Sequence, residues 1–407
     1  MNSPPLSLYI HIPWCVRKCP YCDFNSHGMA GRDPPYSAYV AALLTDLDGD
    51  LRDFGEAIGG REIVSVFFGG GTPSLFPPDA IAAILDGASA RLAFARDCEI
   101  TLETNPGTVE HGRFDGYARA GINRISFGVQ SFDDAMLRAL GRIHSSGEAE
   151  GAVKLAQDAG FDNINLDLMY ALPRQALDGA LADIERAVAL APAHISHYQL
   201  TLEPNTAFAA NPPPLPDDDA AWTMQEACQA RLAQAGYAQY EVSAYAREGR
   251  RCVHNLNYWR FGDYLGIGAG AHGKLTRHET QRTEPGEAAS ATDNRAPASG
   301  FSIRRRWKVK HPRAYLENLA TPQRIGGDHA VPVEQRPFEY MLNALRLIDG
   351  VPIGDFTART GLPLDTVRVP LQQAVARGWL DDDANALRTT GLGQRFLNDV
   401  IELFMRD

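Results

Sequence analysis

Three thiols crowd the start of the sequence as Cys15-x-x-x-Cys19-x-x-Cys22, whereas Cys98, Cys228 and Cys252 stand singly. A disulfide-stapled fold would be small and far denser in cysteine, so the group points to metal or redox chemistry. Taken alone, Cys19-x-x-Cys22 reads equally as a redox pair or half a zinc site. A Cys₃His zinc set completed by His11 or His27 is the competing donor group. The full spacing suits an iron–sulfur cube better. Ferredoxin-like carriers hold a [4Fe–4S] cube with four thiolates. Three thiolates leave one iron with an open position, where a small molecule bearing an amine and a carboxylate can chelate.

A second polar set follows at the ends of apolar runs. Phe67-Phe68-Gly69-Gly70-Gly71-Thr72-Pro73 carries three consecutive glycines, which let backbone approach a ligand closely or simply make a tight turn. No Lys-Ser/Thr follows, so this is no Walker loop, and the spacing is not a dinucleotide fingerprint. Glu103, Gln130 and Asp167 each follow an apolar stretch, and Arg142 comes shortly after Gln130. A carboxylate and an amide so placed suit ribose hydroxyls and adenine, and a guanidinium suits a carboxylate. Capping of the next helix is the competing role. Further on, His254-Asn255-Leu256-Asn257-Tyr258-Trp259 joins an imidazole to two aromatic rings.

The elements that must carry these residues alternate. Strands are expected at residues 7–12, 63–68, 98–103, 122–129, 163–169, 194–202 and 239–245, with helices at 35–54, 78–93, 109–120, 133–140, 147–159, 177–191 and 220–235. Alternation of this kind implies parallel strands joined by right-handed crossovers. Six or seven units without an eighth predict an incomplete (β/α) barrel rather than a closed TIM barrel. Gly70, Glu103, Gln130 and Asp167 fall at successive strand ends, as in barrel sites, whereas a doubly wound sheet gathers its site at one switch point. Residues 205–219 read as a Pro-rich acidic excursion and 278–300 as a polar loop. Residues 301–310 read as a basic strand, its cations open to propionates, an anionic surface or solvent. From residue 332 a helical, winged-helix-like module follows. The expected division is 1–245, 246–330 and 331–407.

Composition bounds the function. With 39 Lys and Arg against 50 Asp and Glu in 407 residues, the net charge of −11 argues against nucleic-acid binding. No apolar run approaches membrane-spanning length, and residues 1–8 lack a secretory signal, so a cytoplasmic protein is expected.

The cysteine spacing, with Tyr21 before the last thiol, resembles the radical S-adenosylmethionine superfamily over roughly residues 6–245. Tyr9-Ile10-His11-Ile12-Pro13-Trp14-Cys15 is similar to the opening of the oxygen-independent coproporphyrinogen III oxidase family, which includes a heme-chaperone branch. The resemblance covers nearly the whole chain. It implies a [4Fe–4S] cluster on Cys15, Cys19 and Cys22. It also implies S-adenosylmethionine contacted by Tyr9, Tyr21, Gly70, Gly71, Thr72, Glu103, Gln130, Arg142 and Asp167. The oxidases carry a fourth cysteine two positions after the third, where this chain has Phe24, and a longer N-terminal arm. Both departures put coproporphyrinogen decarboxylation in doubt. The HNxxYW segment looks like the chaperone branch's heme-binding signature, which implies heme ligation by His254, with Cys252 as the alternative thiolate. Implied partners are heme and acceptor heme proteins, respiratory and membrane-associated, reached at the inner membrane. An oxygen-independent coproporphyrinogen III dehydrogenase is the runner-up, and a cluster protein acting on another substrate is a third class.

Overall fold

A computed structural model describes residues 3–29, 31, 33–108, 113–278 and 301–405. Six parallel strands run in order across its centre: β1 (Leu6–Ile12), β2 (Ile63–Gly70), β3 (Phe94–Thr104), β4 (Arg124–Gln130), β5 (Ile164–Tyr170) and β6 (His194–Gln199). Helices α1 (Tyr36–Ile58), α2 (Pro78–Ser89), α3 (Arg113–Arg119), α4 (Asp134–Ala139), α5 (Ser146–Asp158) and α6 (Leu177–Ala189) make the crossovers. One further helix, α7 (Asp218–Gln234), packs on α6. Beyond β6 the short antiparallel strands β7 (Ala238–Gln239) and β8 (Ala244–Ala246) form one edge.

The other side extends further than the alternation suggested. After helix α8 (Val253–Trp259), strand β9 (Asp263–Ile267) lies parallel to β1, followed by antiparallel β10 (His272–His278), β11 (Phe301–Lys308) and β12 (Ile325–Ala330). The result is one mixed twelve-stranded sheet, β12-β11-β10-β9-β1-β2-β3-β4-β5-β6-β8-β7, whose two edge strands do not pair with each other. The open, half-barrel expectation therefore holds. The polar loop expected at 278–300 falls almost wholly outside the described residues; His278 closes β10.

Side-chain parity along these strands sets up the site. Successive residues point to opposite faces. Leu8, Ile10, Val66, Phe68, Leu102, Ile125, Phe127, Leu166 and Ile195 go to the main apolar core with the helices. Their neighbours Ser7, Ser65, Glu99, Arg124, Ser126, Asn165, Asp167 and His194 face the concave side. There Ser7 bonds to Ser65, Asn165 to Ser126 and Asp167, and His194 to Asn165 and Tyr240, while Arg124 has an ion pair with Glu99 at 3.9 Å and a buried Nε without a hydrogen-bond partner. Such pairing offsets the cost of burying polar groups.

The basic strand is neutralised from within. Lys308 Nζ sits 2.6 Å from Asp46 and 2.7 Å from Asp50, both on α1. Arg306 reaches Asp50, Asp53 and Asp328, Arg304 reaches Asp328, and Arg305 reaches Glu339 and the Tyr264 hydroxyl. These four cations are therefore structural rather than open to propionates or an anionic surface. Arg306 and Lys308 fasten α1 to β11, Arg304 ties β11 to β12, and Arg305 ties it to the C-terminal helix that carries Glu339.

The C-terminal region is helical: Arg336–Ala344, Ile353–Thr360 and Arg368–Ala376, then a two-residue ladder of Val351–Pro352 with Ala386–Leu387, and Gly391–Arg395 and Leu397–Glu402. Its own apolar cluster, around Tyr340, Met341, Phe356 and Val400, also takes in Phe261, Phe301 and Ile303 beside the sheet.

Candidate functional site

A cavity of about 410 Å³ opens at the C-terminal ends of the parallel strands. Cys15, Cys19 and Cys22 line it together with Tyr21, Gly70, Gly71, Thr72, Glu103, Gln130, Arg142 and Asp167. All the residues singled out in sequence for cluster and nucleotide meet there, except Tyr9, which lies on an adjoining cavity.

The glycines grip the cysteine loop. Gly71 N–H donates to Ile12 O at 2.7 Å and Thr72 N–H to Trp14 O at 2.8 Å. A Cβ on Gly71 would stand 2.4 Å from Trp14 O, and one on Gly70, whose φ is +113°, 2.5 Å from the His11 ring. Only glycine tolerates that approach. These residues thus hold the cysteine loop onto β2 as well as lining the cavity.

The thiols have donors in place. Thr72 Oγ1 donates to Cys15 Sγ at 3.5 Å and Arg142 Nη1 to Cys19 Sγ at 3.6 Å. Burial raises the Cys15 and Cys22 thiols above their ordinary range. No three His, Cys, Asp or Glu side chains among the described residues close around a single ion. A cube asks for a wider set, because each thiolate binds a different iron. His11 is committed elsewhere, its ring nitrogens facing the Tyr9 hydroxyl and Asn25 O, which leaves it outside any zinc set. The donor set fits the cluster.

The strand-end carboxylates are crowded. Glu103 accepts from Gly70 N–H at 3.2 Å, and burial, with the Asp167 charge behind it, pushes its carboxyl up to about 8. Asp167 accepts from Ser126 and Asn165 and is raised by burial. Gln130 takes a φ of +72° at a register slip between Gly128 and Gln130, an irregularity that re-aims its side chain into the cavity, where its amide oxygen accepts from Tyr198. Arg142 donates to Gly128 O, and its Nε is buried without a partner. That orphan donor suits an anionic ligand group. Tyr198, Ser126 and Asn105 also line the cavity. They were not singled out from sequence; Tyr198 falls in the middle of the strand expected at 194–202, and only the earlier observed end at Gln199 puts it at the cavity.

The HNxxYW segment folds as α8 over the concave face. His254 is 7% exposed, its ring stacked on Phe67 at 4.5 Å and within 4.7 Å of Tyr258, and burial lowers its pKa to about 3. Its Nδ1 has no partner. The structure does not bring His254 into the cysteine cavity. Cys252 is fully buried and donates to Glu99, with its thiol pushed up to about 12, which keeps it protonated.

A half-barrel of parallel strands with three loop cysteines facing strand-end polar groups defines a radical S-adenosylmethionine protein. The Radical SAM superfamily model matches residues 9–187 and the HemN C-terminal domain model residues 331–396. Over its full 407 residues the chain is 49% identical to the heme chaperone HemW of Escherichia coli strain K12, covering 100% of each. It is 48% identical to that of Haemophilus influenzae, covering 99% of each. The chain belongs to the HemW family. A solved structure of coproporphyrinogen III oxidase (HemN) from Escherichia coli superposes with a TM-score of 0.78 at 21% identity, over 99% of this chain and 90% of that one, which attests the shared fold. No helix among the described residues is long and apolar enough to cross a membrane.

Proposed function

We propose that the protein is a heme carrier built on a radical S-adenosylmethionine scaffold. Cys15, Cys19 and Cys22 would hold a [4Fe–4S] cluster, with S-adenosylmethionine bound beside it in the same cavity. When bound, that pair supplies one-electron cleavage chemistry. The chain's own residues position it: Arg142 pairs with the carboxylate, Glu103 and Asp167 accept from ribose hydroxyls, and Gln130 meets adenine. Heme lodges against the HNxxYW segment and passes to acceptor heme proteins, respiratory ones among them, from the cytoplasm or the inner face of a membrane.

The observation that carries this reading is Tyr258, which lines a second cavity of about 370 Å³ sharing Gly70, Glu103 and Phe24 with the first. Phe24 occupies the position of the oxidases' extra thiol and is 60% exposed between the two cavities. The names of the HemW relatives support the heme assignment. In this reading His254 meets iron only once α8 has moved off Phe67, since its ring is otherwise sealed. Heme titration of wild type and His254→Ala, followed by the Soret band, tests it. Weaker binding is expected, and unchanged affinity removes His254. An anaerobic assay for protoporphyrinogen is expected to give none; robust turnover would establish the dehydrogenase instead.

A further inference from the structure

The second cavity contains an imidazole that needs no rearrangement to reach a ligand. It is bounded by Tyr9, Phe24, Tyr258, Tyr264, His272 and Lys310. Tyr258 and Tyr264 stack on each other at 4.3 Å with 22° between their planes, and both rings line the cavity. Exposed Phe24 stands at the mouth. His272, at the start of β10, is exposed, and its ring lies 5.9 Å from and nearly parallel to Trp307. Neither of its ring nitrogens hydrogen-bonds to another described residue. Lys310 ends the basic run, and whereas Arg304, Arg305, Arg306 and Lys308 are all paired, its ammonium has no ion pair among the described residues.

We infer that this cavity takes an iron porphyrin edgewise, with His272 as the axial ligand to iron and Lys310 paired with a propionate. The inference rests on the heme-carrier reading and assigns it a different first contact from His254. Its parts match the ligand one by one. A flat apolar macrocycle lies well on stacked aromatic rings. A ferric or ferrous centre takes a neutral imidazole. A carboxylate at the rim meets a free ammonium. The volume is within the range of small-molecule sites. Burial and the charges of Lys310 and Arg305 lower the His272 pKa, so the ring is neutral at physiological pH. Asn25 also ties the cysteine loop to this wall, donating to Ala269 O and Lys310 O. A porphyrin here would adjoin the cluster cavity.

The test is heme titration of anaerobically purified wild type, His272→Ala and Lys310→Glu, with cluster iron counted on each sample to confirm folding. His272→Ala is expected to bind heme at least tenfold more weakly with a displaced Soret band, and added imidazole is expected to return the band toward wild type. Lys310→Glu is expected to weaken binding several-fold without moving the band. If wild type binds heme and His272→Ala matches it in affinity and spectrum, the inference falls while the carrier reading stands. If wild type itself takes up no heme, the carrier reading falls and takes the inference with it.

Discussion

The two cavities meet at Asp23, Phe24, Gly70 and Glu103, yet they are built by different means. The first is polar. It collects one or two side chains from each of five successive parallel strand ends, β2 to β6, and adds a short loop bearing three thiols. The second adds four aromatic rings, Tyr9, Phe24, Tyr258 and Tyr264, to polar groups that include Asn25, His272 and Lys310. Its walls come from β1, the cysteine loop, α8 and the strands beyond it, brought together by pairing between residues about 250 positions apart, such as Leu8 with Leu265. A repeating supersecondary unit thus makes a site that can be read locally. A site made where a distant strand docks beside β1 cannot be read that way.

The sharpest separation of the two comes from the thiols. Replacing Cys15, Cys19 and Cys22 with Ala is expected to abolish cluster iron and sulfide, measured after anaerobic reconstitution, while heme uptake persists. Joint loss of both would merge the two cavities into one functional site.

The wall of the second cavity depends on the buried ion network behind it. Lys308→Ala removes the shortest cation contact of buried Asp46 and Asp50, leaving Arg324 on both and Arg306 on Asp50, and is expected to cost about 1–3 kcal/mol in urea unfolding. A loss below about 1 kcal/mol would show the network to be solvated surface charge.

Within the first cavity, the Glu103 carboxyl, raised to about 8, is mostly protonated at neutral pH, whereas ribose hydroxyls are best accepted by the ionised form. S-adenosylmethionine affinity, measured by calorimetry, is therefore expected to rise roughly tenfold between pH 6 and 8. Glu103→Gln removes that slope. The same shift means that the native state holds a proton which the unfolded chain loses at lower pH. Glu103 thus stabilises the fold in acid, and that contribution fades as pH rises through about 8. Glu103→Gln should flatten that decline. The smallest effect belongs to Tyr258→Leu, which removes one face of the tyrosine stack and is expected to weaken heme binding by about 1 kcal/mol.

Legibility in the sequence followed the same divide. The six central strands and their helices were visible because each is a contiguous apolar run with its own punctuation, and Gly70, Glu103 and Gln130 stand at or next to their ends, whereas Asp167 sits midway along β5. Ser126 and Asn105 were missed because nothing in their types marks them apart from ordinary turn and strand residues. Strands β9 and β10 were hidden in the glycine-rich stretch around Gly266, Gly268 and Gly270, whose strand character comes from pairing with β1 and β11. The fate of the basic strand was encoded far away. Asp46, Asp50 and Asp53 lie at i, i+4 and i+7 of α1, a spacing that usually marks a solvated helix face, yet Asp46 and Asp50 are buried against Lys308. His254 shows the limit of motif reading: the signature places it near heme chemistry, and the fold seals its ring between Phe67 and Tyr258.

The most direct single measurement is a joint count of iron, acid-labile sulfide and heme on anaerobically purified protein, before and after heme addition. The expected result is about four cluster irons and about four sulfides per chain, with one further iron arriving as heme while the cluster absorbance persists. A chain that assembles the cluster but takes up no heme, or that gains heme only by losing the cluster, would contradict a carrier with two adjoining sites.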